Sequence, residues 1–333
     1  MKPKWAIGLD LGGTNARMAL VDAKARVREV VRRDSREVGS PEAFVAWAAR
    51  ESAELLSRNG VLRKDCAGIG VGVPGPVDQG CENILILPNL TKWKNVPLKK
   101  MLAVRSRFAV AMDNDGNAMT MAEHRFGAAR GTRHALFITL GTGIGCGMVY
   151  EGELFRGATF SAVEISHMRH NVSGALLRCG CGSRGCIETR LGNRPLRARA
   201  EKELKPYSPA LRKMISGNLK AMGDVPLRRL ELEHVTRAAK AGDGRCVRFW
   251  SSVAEEFGDF LGGICNLLNP ELIVIGGGVS GAGKFLFEPL RRSVRHHAFA
   301  PATDRLRIVP ARFGADSGII GAAALAFACS EKK

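Results

Sequence analysis

The run WAIGLDLGGTNARMALV, Trp5 to Val21, decides how the rest of the chain is read. Two apolar stretches, Trp5–Asp10 and Ala16–Val21, are joined by Leu11-Gly12-Gly13-Thr14-Asn15, which predicts a β-hairpin with a glycine-rich tip. The same arrangement returns at Ala135–Leu140 and Cys146–Tyr150, joined by Gly141-Thr142-Gly143-Ile144-Gly145. Two such units, far apart in the chain, predict an internal duplication of one α/β half. Each half continues into a helix, Pro41–Arg58 after the first and Asp243–Leu268 in the second. Further strands are expected at Ala67–Val73, Ala109–Asp113, Leu272–Ile275 and Leu306–Pro310, with a helix, Gly116–Phe126, directly after Ala111–Asn114. Asp316 and Ser317 can cap a last helix, Gly318–Ala328, whose small side chains permit close packing on a sheet. Pro206, Pro209 and Pro226 make Leu204–Glu233 an irregular helical insertion.

At 333 residues the chain is long enough for two domains, each with its own core. Nine cysteines at irregular spacing, several in apolar segments, suit a reducing compartment better than a disulfide framework. The apolar run after Met-Lys-Pro-Lys is too short for a signal peptide, and no segment approaches the roughly 20 apolar residues of a membrane span. A cytoplasmic protein is therefore expected. The net charge of +18 raises the question of a polyanionic partner. The excess is spread widely, however, and aromatics are only 6%, too few for a single-strand stacking platform. Solvated basic helices that attract anionic metabolites, with no specific nucleic acid, are the expectation.

Chemistry concentrates in four places. The Gly12-Gly13-Thr14 and Gly141-Thr142-Gly143 turns can present successive backbone N–H groups to an anion. Asp10, at the entrance of the first, is placed to hold Mg²⁺ through water. Either turn alone is also what a simple hairpin needs; two in duplicated halves suggest a polyphosphate gripped from both sides. Gly276-Gly277-Gly278 follows a strand, but about 20 residues on, where a dinucleotide fold needs an acid, stand His296 and His297. Close backbone approach to an adenosine is the preferred reading there.

Asp113-Asn114-Asp115-Gly116-Asn117 lies at a strand-to-helix junction. Asp115 can take a proton from a substrate hydroxyl attacking a γ-phosphate, a contribution of roughly 10²–10⁴-fold, and Asn114 can orient the substrate. The same run also reads as an Asx-rich helix cap. Finally, His167 with Cys179, Cys181 and Cys186 makes a full tetrahedral set for a structural zinc, with glycines that let three sulfurs converge. Glu164 and Glu188 flank the cluster. A knuckle for partner binding, or reduced thiols without metal, are the other readings of these residues.

Together, the Asp10–Asn15 loop, D-N-D-G-N, G-T-G-I-G, E-x-x-H at Glu164–His167 and C-G-C-G-x-x-G-C-x-E resemble the ROK sugar kinases, from Asp10 to about Ala326. That resemblance implies two duplicated ribonuclease-H-like (actin-like ATPase) domains around a central cleft. They would span residues 1–112 with a returning helix at 316–330, and residues 113–315 carrying the zinc loop and the 204–233 insertion. It implies an ATP- and Mg²⁺-dependent transfer to the 6-hydroxyl of an aldohexose, glucose first and N-acetylmannosamine or N-acetylglucosamine as alternatives. Asp115 would be the base; Gly75, Asn89, Asn114, Gly143, Glu164, His167 and Glu188 would contact the sugar. Asp10, Gly12, Gly13, Thr14, Asn15, Gly141, Thr142, Gly143 and Gly276–Gly278 would serve the nucleotide and its metal. A homodimer is the family expectation.

One departure stands out. Where the family reads G-E-I-G-H, this chain has Val163-Glu164-Ile165-Ser166-His167, which removes backbone freedom and adds bulk beside the hydroxyl-binding groups. A second class of function, a sugar-responsive regulator, shares the sugar and zinc motifs. The first strand begins at Trp5, however, leaving no room for a winged helix, and a sensor has no need of an intact phosphate apparatus.

Overall fold

The N-terminal apolar run is continuous rather than alternating because its strand is buried on both faces. In β1 (Trp5–Leu11), Ile7, Leu9 and Leu11 enter one core and Ala6 another, all fully buried. The computed structural model describes residues 3–12, 15–34, 37, 39–87, 90, 93–170, 176–216 and 229–331.

After β1 come β2 (Asn15–Asp22), β3 (Val27–Asp34), α1 (Pro41–Arg58), β4 (Cys66–Val73), the short pair β5 (Ile84–Ile86) and β6 (Lys94–Val96), α2 (Leu98–Ser106), β7 (Val110–Asn114) and α3 (Asp115–Phe126). The first large sheet has the order β3-β2-β1-β4-β7; β1 pairs antiparallel with β2 and parallel with β4, which pairs parallel with β7. The second half brings β8 (Ala135–Leu140), β9 (Ile144–Tyr150), β10 (Glu153–Phe155), α4 (Glu188–Leu191), α5 (Asn193–Leu204), α6 (Pro209–Ser216), α7 (Leu232–Lys240), α8 (Gly244–Leu268), β11 (Leu272–Gly276), α9 (Lys284–His297), β12 (Arg307–Pro310) and α10 (Ser317–Glu331). Its sheet runs β10-β9-β8-β11-β12. A three-strand meander followed by two crossover strands thus occurs twice in the same spatial order, and the expected duplication is present. Contacts divide the chain into two compact units: Met1–Phe137 with Cys146–Val163 and Ala311–Lys333, and Ile138–Gly145 with Glu164–Pro310.

Local chemistry sets the helix ends. The Ser40 hydroxyl accepts the Ala43 N–H ahead of Pro41, starting α1, and the Asp243 carboxylate accepts the N–H groups of Arg245 and Cys246, starting α8. Caps of this kind contribute about 1 kcal/mol each. The small-residue helix α10 lies on β1 and β4 so closely that a β-carbon at Gly8 or Gly70 would overlap the carbonyl oxygens of Ile319 or Ala322. That approach explains glycine at both positions.

The sequence reading omits β3, the β5–β6 pair, α2, β10, α4, α5 and α9. Each is half-exposed, short or rich in charge. In the proline-marked insertion the described residues hold α6 and the start of α7 with irregular backbone at 205–208 and 229–231; residues 217–228 lie outside the described set.

Candidate active site and metal cluster

In the first unit, β1 delivers Asp10 to its C-terminal end, opposite Arg17 on β2 and Gly72 on β4. Burial pushes the Asp10 carboxyl up to about 6, with the Arg17 charge opposing the rise. Arg17 is engaged elsewhere: it donates to Asp316 at 2.5 Å and to the Ala315 carbonyl, at the approach to α10. A β-carbon on Gly72 would stand 3.8 Å from the Asp115 Cα and 4.0 Å from Asp10 Oδ1. The structure therefore brings Asp10 and Asp115 to the two flanks of one glycine. The tip of the hairpin closes through the Gly12 N–H on the Asn15 carbonyl, at 3.0 Å. Gly13, Thr14 and Asn89 lie outside the described residues.

The junction between β7 and α3 is organised by a residue to which the sequence reading gives no role. Asp113 is fully buried. Its Oδ1 accepts the Asn114 N–H and an amide hydrogen of Asn117, each at 2.8 Å, and its Oδ2 accepts the Nε–H of Arg156 at 2.8 Å, with Nη2 in ion-pair contact at the same distance. Asn114 in turn caps α3, its Oδ1 taking the Gly116 N–H at 2.8 Å while its Nδ2 reaches the Gly75 carbonyl at 3.3 Å. Asp115 is the first helical residue, and its Oδ1 also accepts the Gly116 N–H. The Asx-rich cap and the candidate base are thus the same structure. A charged residue closing an otherwise apolar strand is the sequence signal for Asp113; nothing marks Arg156.

In the second unit the cysteine loop folds back on itself. Gly182 and Gly185 take φ of +92° and +78°, and the N–H groups of Gly182 and Gly185 bond the carbonyls of Cys179 and Leu177. His167 closes a short turn after Glu164. The ligand atoms of His167, Cys179, Cys181 and Cys186 all lie within 4.8 Å of one another. His167 Nδ1 is 3.7 Å from the Cys179 sulfur, and the sulfurs of Cys181 and Cys186 are 3.7 Å apart. The edge of a tetrahedron built on metal–sulfur bonds of about 2.3 Å and metal–nitrogen bonds of about 2.0 Å is about 3.5–3.8 Å, so the four groups can hold one metal ion. Burial, reinforced by the neighbouring thiols, pushes Cys186 up to about 12, a cost that a bound cation reverses.

Glu188, at the start of α4, ties this cluster to the second glycine turn. Its Oε1 lies 3.7 Å from the Cys179 sulfur, and its Oε2 accepts the Ile144 N–H at 3.0 Å. A β-carbon on Gly143 would sit 2.6 Å from that same Oε2, so no other residue fits there without displacing the acid. Burial raises the Glu164 carboxyl above the usual carboxylate range, with His167 opposing and Glu188 adding to the shift. Gly141 closes its turn on the Gly143 carbonyl and accepts the Asn193 N–H, while Thr142 lies beside Gly192. Gly277, at φ +80°, is pressed against the backbone of Leu140, which brings Gly276–Gly278 alongside the Gly141–Gly143 turn.

The ROK family profile matches residues 6–328. A glucokinase of Thermotoga maritima is 31% identical over 319 residues, 96% of each chain. An N-acetyl-D-glucosamine kinase of Histophilus somni is 27% identical over 329 residues, covering 96% of this chain and 97% of that protein. Among solved structures, a ROK family glucokinase from Streptomyces griseus in complex with glucose and AMPPNP has a TM-score of 0.77 at 30% identity, over 96% of this chain and 98% of that one. With the match running through both duplicated halves, the chain belongs to the ROK family.

Proposed function

We propose that the protein is an ATP-dependent hexose kinase, a glucokinase, that phosphorylates the 6-hydroxyl of glucose. The observation that carries this reading is similarity to glucokinases along 96% of the chain, with Asp115 standing at the first turn of α3. As the sugar O6 attacks the γ-phosphorus, its proton passes to the Asp115 carboxylate, the new P–O6 bond forms, and the bond to the β-phosphate breaks to release ADP. Positioning supplies most of the remaining acceleration in such a transfer.

Glu164, His167 and Glu188 hold the ring hydroxyls in this proposal, with Gly75, Asn89 and Asn114 as further sugar contacts. His167 turns Nδ1 toward the thiols, which leaves Nε2 for a hydroxyl. The ion for the cluster is a structural Zn²⁺, which suits three thiolates and one imidazole and leaves no open position. Asp10 is the carboxylate for a hydrated Mg²⁺, which when bound offsets the charge of the transferring phosphates. The phosphates belong to the Gly12–Thr14 and Gly141–Gly143 turns, and the adenosine to Gly276–Gly278.

Glucose is preferred over an N-acetylhexosamine because the glucokinase relatives are 31% identical and the N-acetyl-D-glucosamine kinase 27%, while Val163 and the buried Ser166, beside Glu164, are where the sugar specificity is open to change. The Histophilus relative keeps the acetamido sugars as the second reading. The enzyme is assigned to the cytoplasm: all nine cysteines are free, and no helix of the described residues is long and apolar enough to cross a membrane. Assembly as a homodimer is part of the proposal and is read by sedimentation. An ADP-release assay across a hexose panel decides the substrate. Turnover of glucose above all acetamido sugars is expected; no turnover with any hexose would end the reading. Asp115→Asn should lower kcat by about 10²–10⁴-fold while sugar binding persists. A variant retaining more than about a tenth of wild-type kcat would remove Asp115 from its role.

A further inference from the structure

Arg156 sits at the meeting of two segments that the kinase reading needs to be rigid. On one side, its guanidinium donates from Nε to the fully buried Asp113 at 2.8 Å, with Nη2 in ion-pair contact with the same oxygen at 2.8 Å. The other oxygen of Asp113 fixes the Asn114 N–H and the Asn117 side chain, the two residues that bracket Asp115. On the other side, the Arg156 carbonyl accepts the Ala162 N–H at 3.0 Å, closing the loop of residues 157–161, and its guanidinium lies 5.7 Å from the Phe160 ring centroid. Two residues beyond Ala162 the chain reaches Glu164. The loop is further held by Gln79, which donates to the Ala158 carbonyl at 2.9 Å.

We infer that Arg156, acting through Asp113, is a positioning residue that fixes the base-bearing turn Asn114–Asp115 and the loop leading to Glu164 on one shared anchor. The inference rests on the assignment of Asp115 as base. A buried carboxylate could be satisfied by a single donor; here both oxygens are used, and each partner leads to a different proposed substrate contact. The planar fork of arginine matters, since lysine would bring charge without two fixed donors. A misplacement of about 1 Å at the reacting group costs on the order of 10²-fold in rate.

Arg156 also borders a cavity of about 570 Å³, lined in addition by Phe160 and Met112, which makes a chemical test practicable. Arg156→Ala should lower kcat by about 100-fold with the ATP KM within about threefold of wild type. Millimolar guanidinium should restore kcat at least about tenfold, by refilling the fork beside Asp113. Arg156→Lys, which keeps the charge and spares the buried acid an uncompensated neighbour, should fold even if the alanine variant does not and should lose about tenfold in kcat. Wild-type kcat in Arg156→Lys together with no guanidinium response in Arg156→Ala would overturn the inference, as would a loss confined to KM. If wild-type enzyme phosphorylates no hexose, or Asp115→Asn is fully active, the kinase reading fails instead, so the two failures are separable.

Discussion

Val163 offers a test that sequence reading alone frames only loosely. The residue follows Ala162 and precedes Glu164, and its φ is +65°, in the left-handed region. For an L-residue that conformation costs roughly 1–2 kcal/mol, because its β-carbon crowds the following carbonyl oxygen. Val163→Gly removes the cost but gives back about 0.5–1 kcal/mol, because glycine loses more chain entropy on folding. The net expectation is a stabilisation of about 0.5–1 kcal/mol, or about 1–3 °C in Tm for a chain of this size. Val163→Ala is the control: it keeps the β-carbon that causes the conflict, sheds only bulk, and should leave Tm within about 1 °C. Calorimetry on the three proteins reads the difference, and the ratio of kcat/KM for glucose against N-acetylglucosamine reads the consequence at the neighbouring Glu164. If alanine stabilises as much as glycine, crowding and not backbone conformation is the relevant property of Val163. If glycine destabilises, the strain argument is refuted.

Other outcomes follow from the acids and the cluster. Asp10 has a folded-state pKa raised to about 6, so the folded protein holds its proton more tightly than the unfolded chain; the associated stability is present below about pH 4 and is lost as pH rises toward 6. Between pH 5 and 7 that amounts to about 1 kcal/mol, which Asp10→Asn should abolish in urea titrations without Mg²⁺; parallel pH profiles for the two proteins would contradict the assignment. Because ionised Asp10 is what would receive the cation, Mg²⁺ should recover part of the loss above pH 6 and little below pH 5. Chelation, or Cys181→Ser, should raise the sugar KM by about tenfold ahead of any change in ATP KM, since Glu188 touches Cys179 directly. Metal analysis of protein purified without chelator should return about one zinc per chain; well under one would argue against the ion.

The duplicated hairpins were readable because β1 and β8 are buried on both faces and so appear as unbroken apolar runs bounded by glycine. What escaped lies at edges. β3 carries Arg28, Arg32 and Arg33 on an edge strand with only partial burial, so charge masks its valines. α9 does present Leu286, Phe287, Leu290 and Val294 as a buried stripe, a helical spacing that could have been read behind the glycine run before it. Strands β1 and β4 and the start of α10 show the converse: glycines at 8, 70 and 318 were visible as letters, yet Gly8 and Gly70 make room for the backbone of a helix far along the chain, and Gly318, in that helix, makes room for Asp10.

The same contrast governs the candidate site. The candidate metal cluster was legible because its four residues fall within twenty positions and carry side chains with few other reasons to recur at that spacing. Asp113 and Arg156 are 43 positions apart, and neither residue type is unusual where it stands. Burial is what gives the pair its weight: a carboxylate with no exposure, so close to the proposed base, must find donors in the protein, and the fold supplies a guanidinium from the residue that follows β10. Chemistry that depends on local spacing therefore survives in the one-dimensional record, whereas chemistry that depends on which charge is denied water is written only in the packing. Val163 belongs to the second kind as well. Its replacement of glycine could be seen in the sequence, but the sign of its effect rests on a dihedral angle that only the folded chain defines.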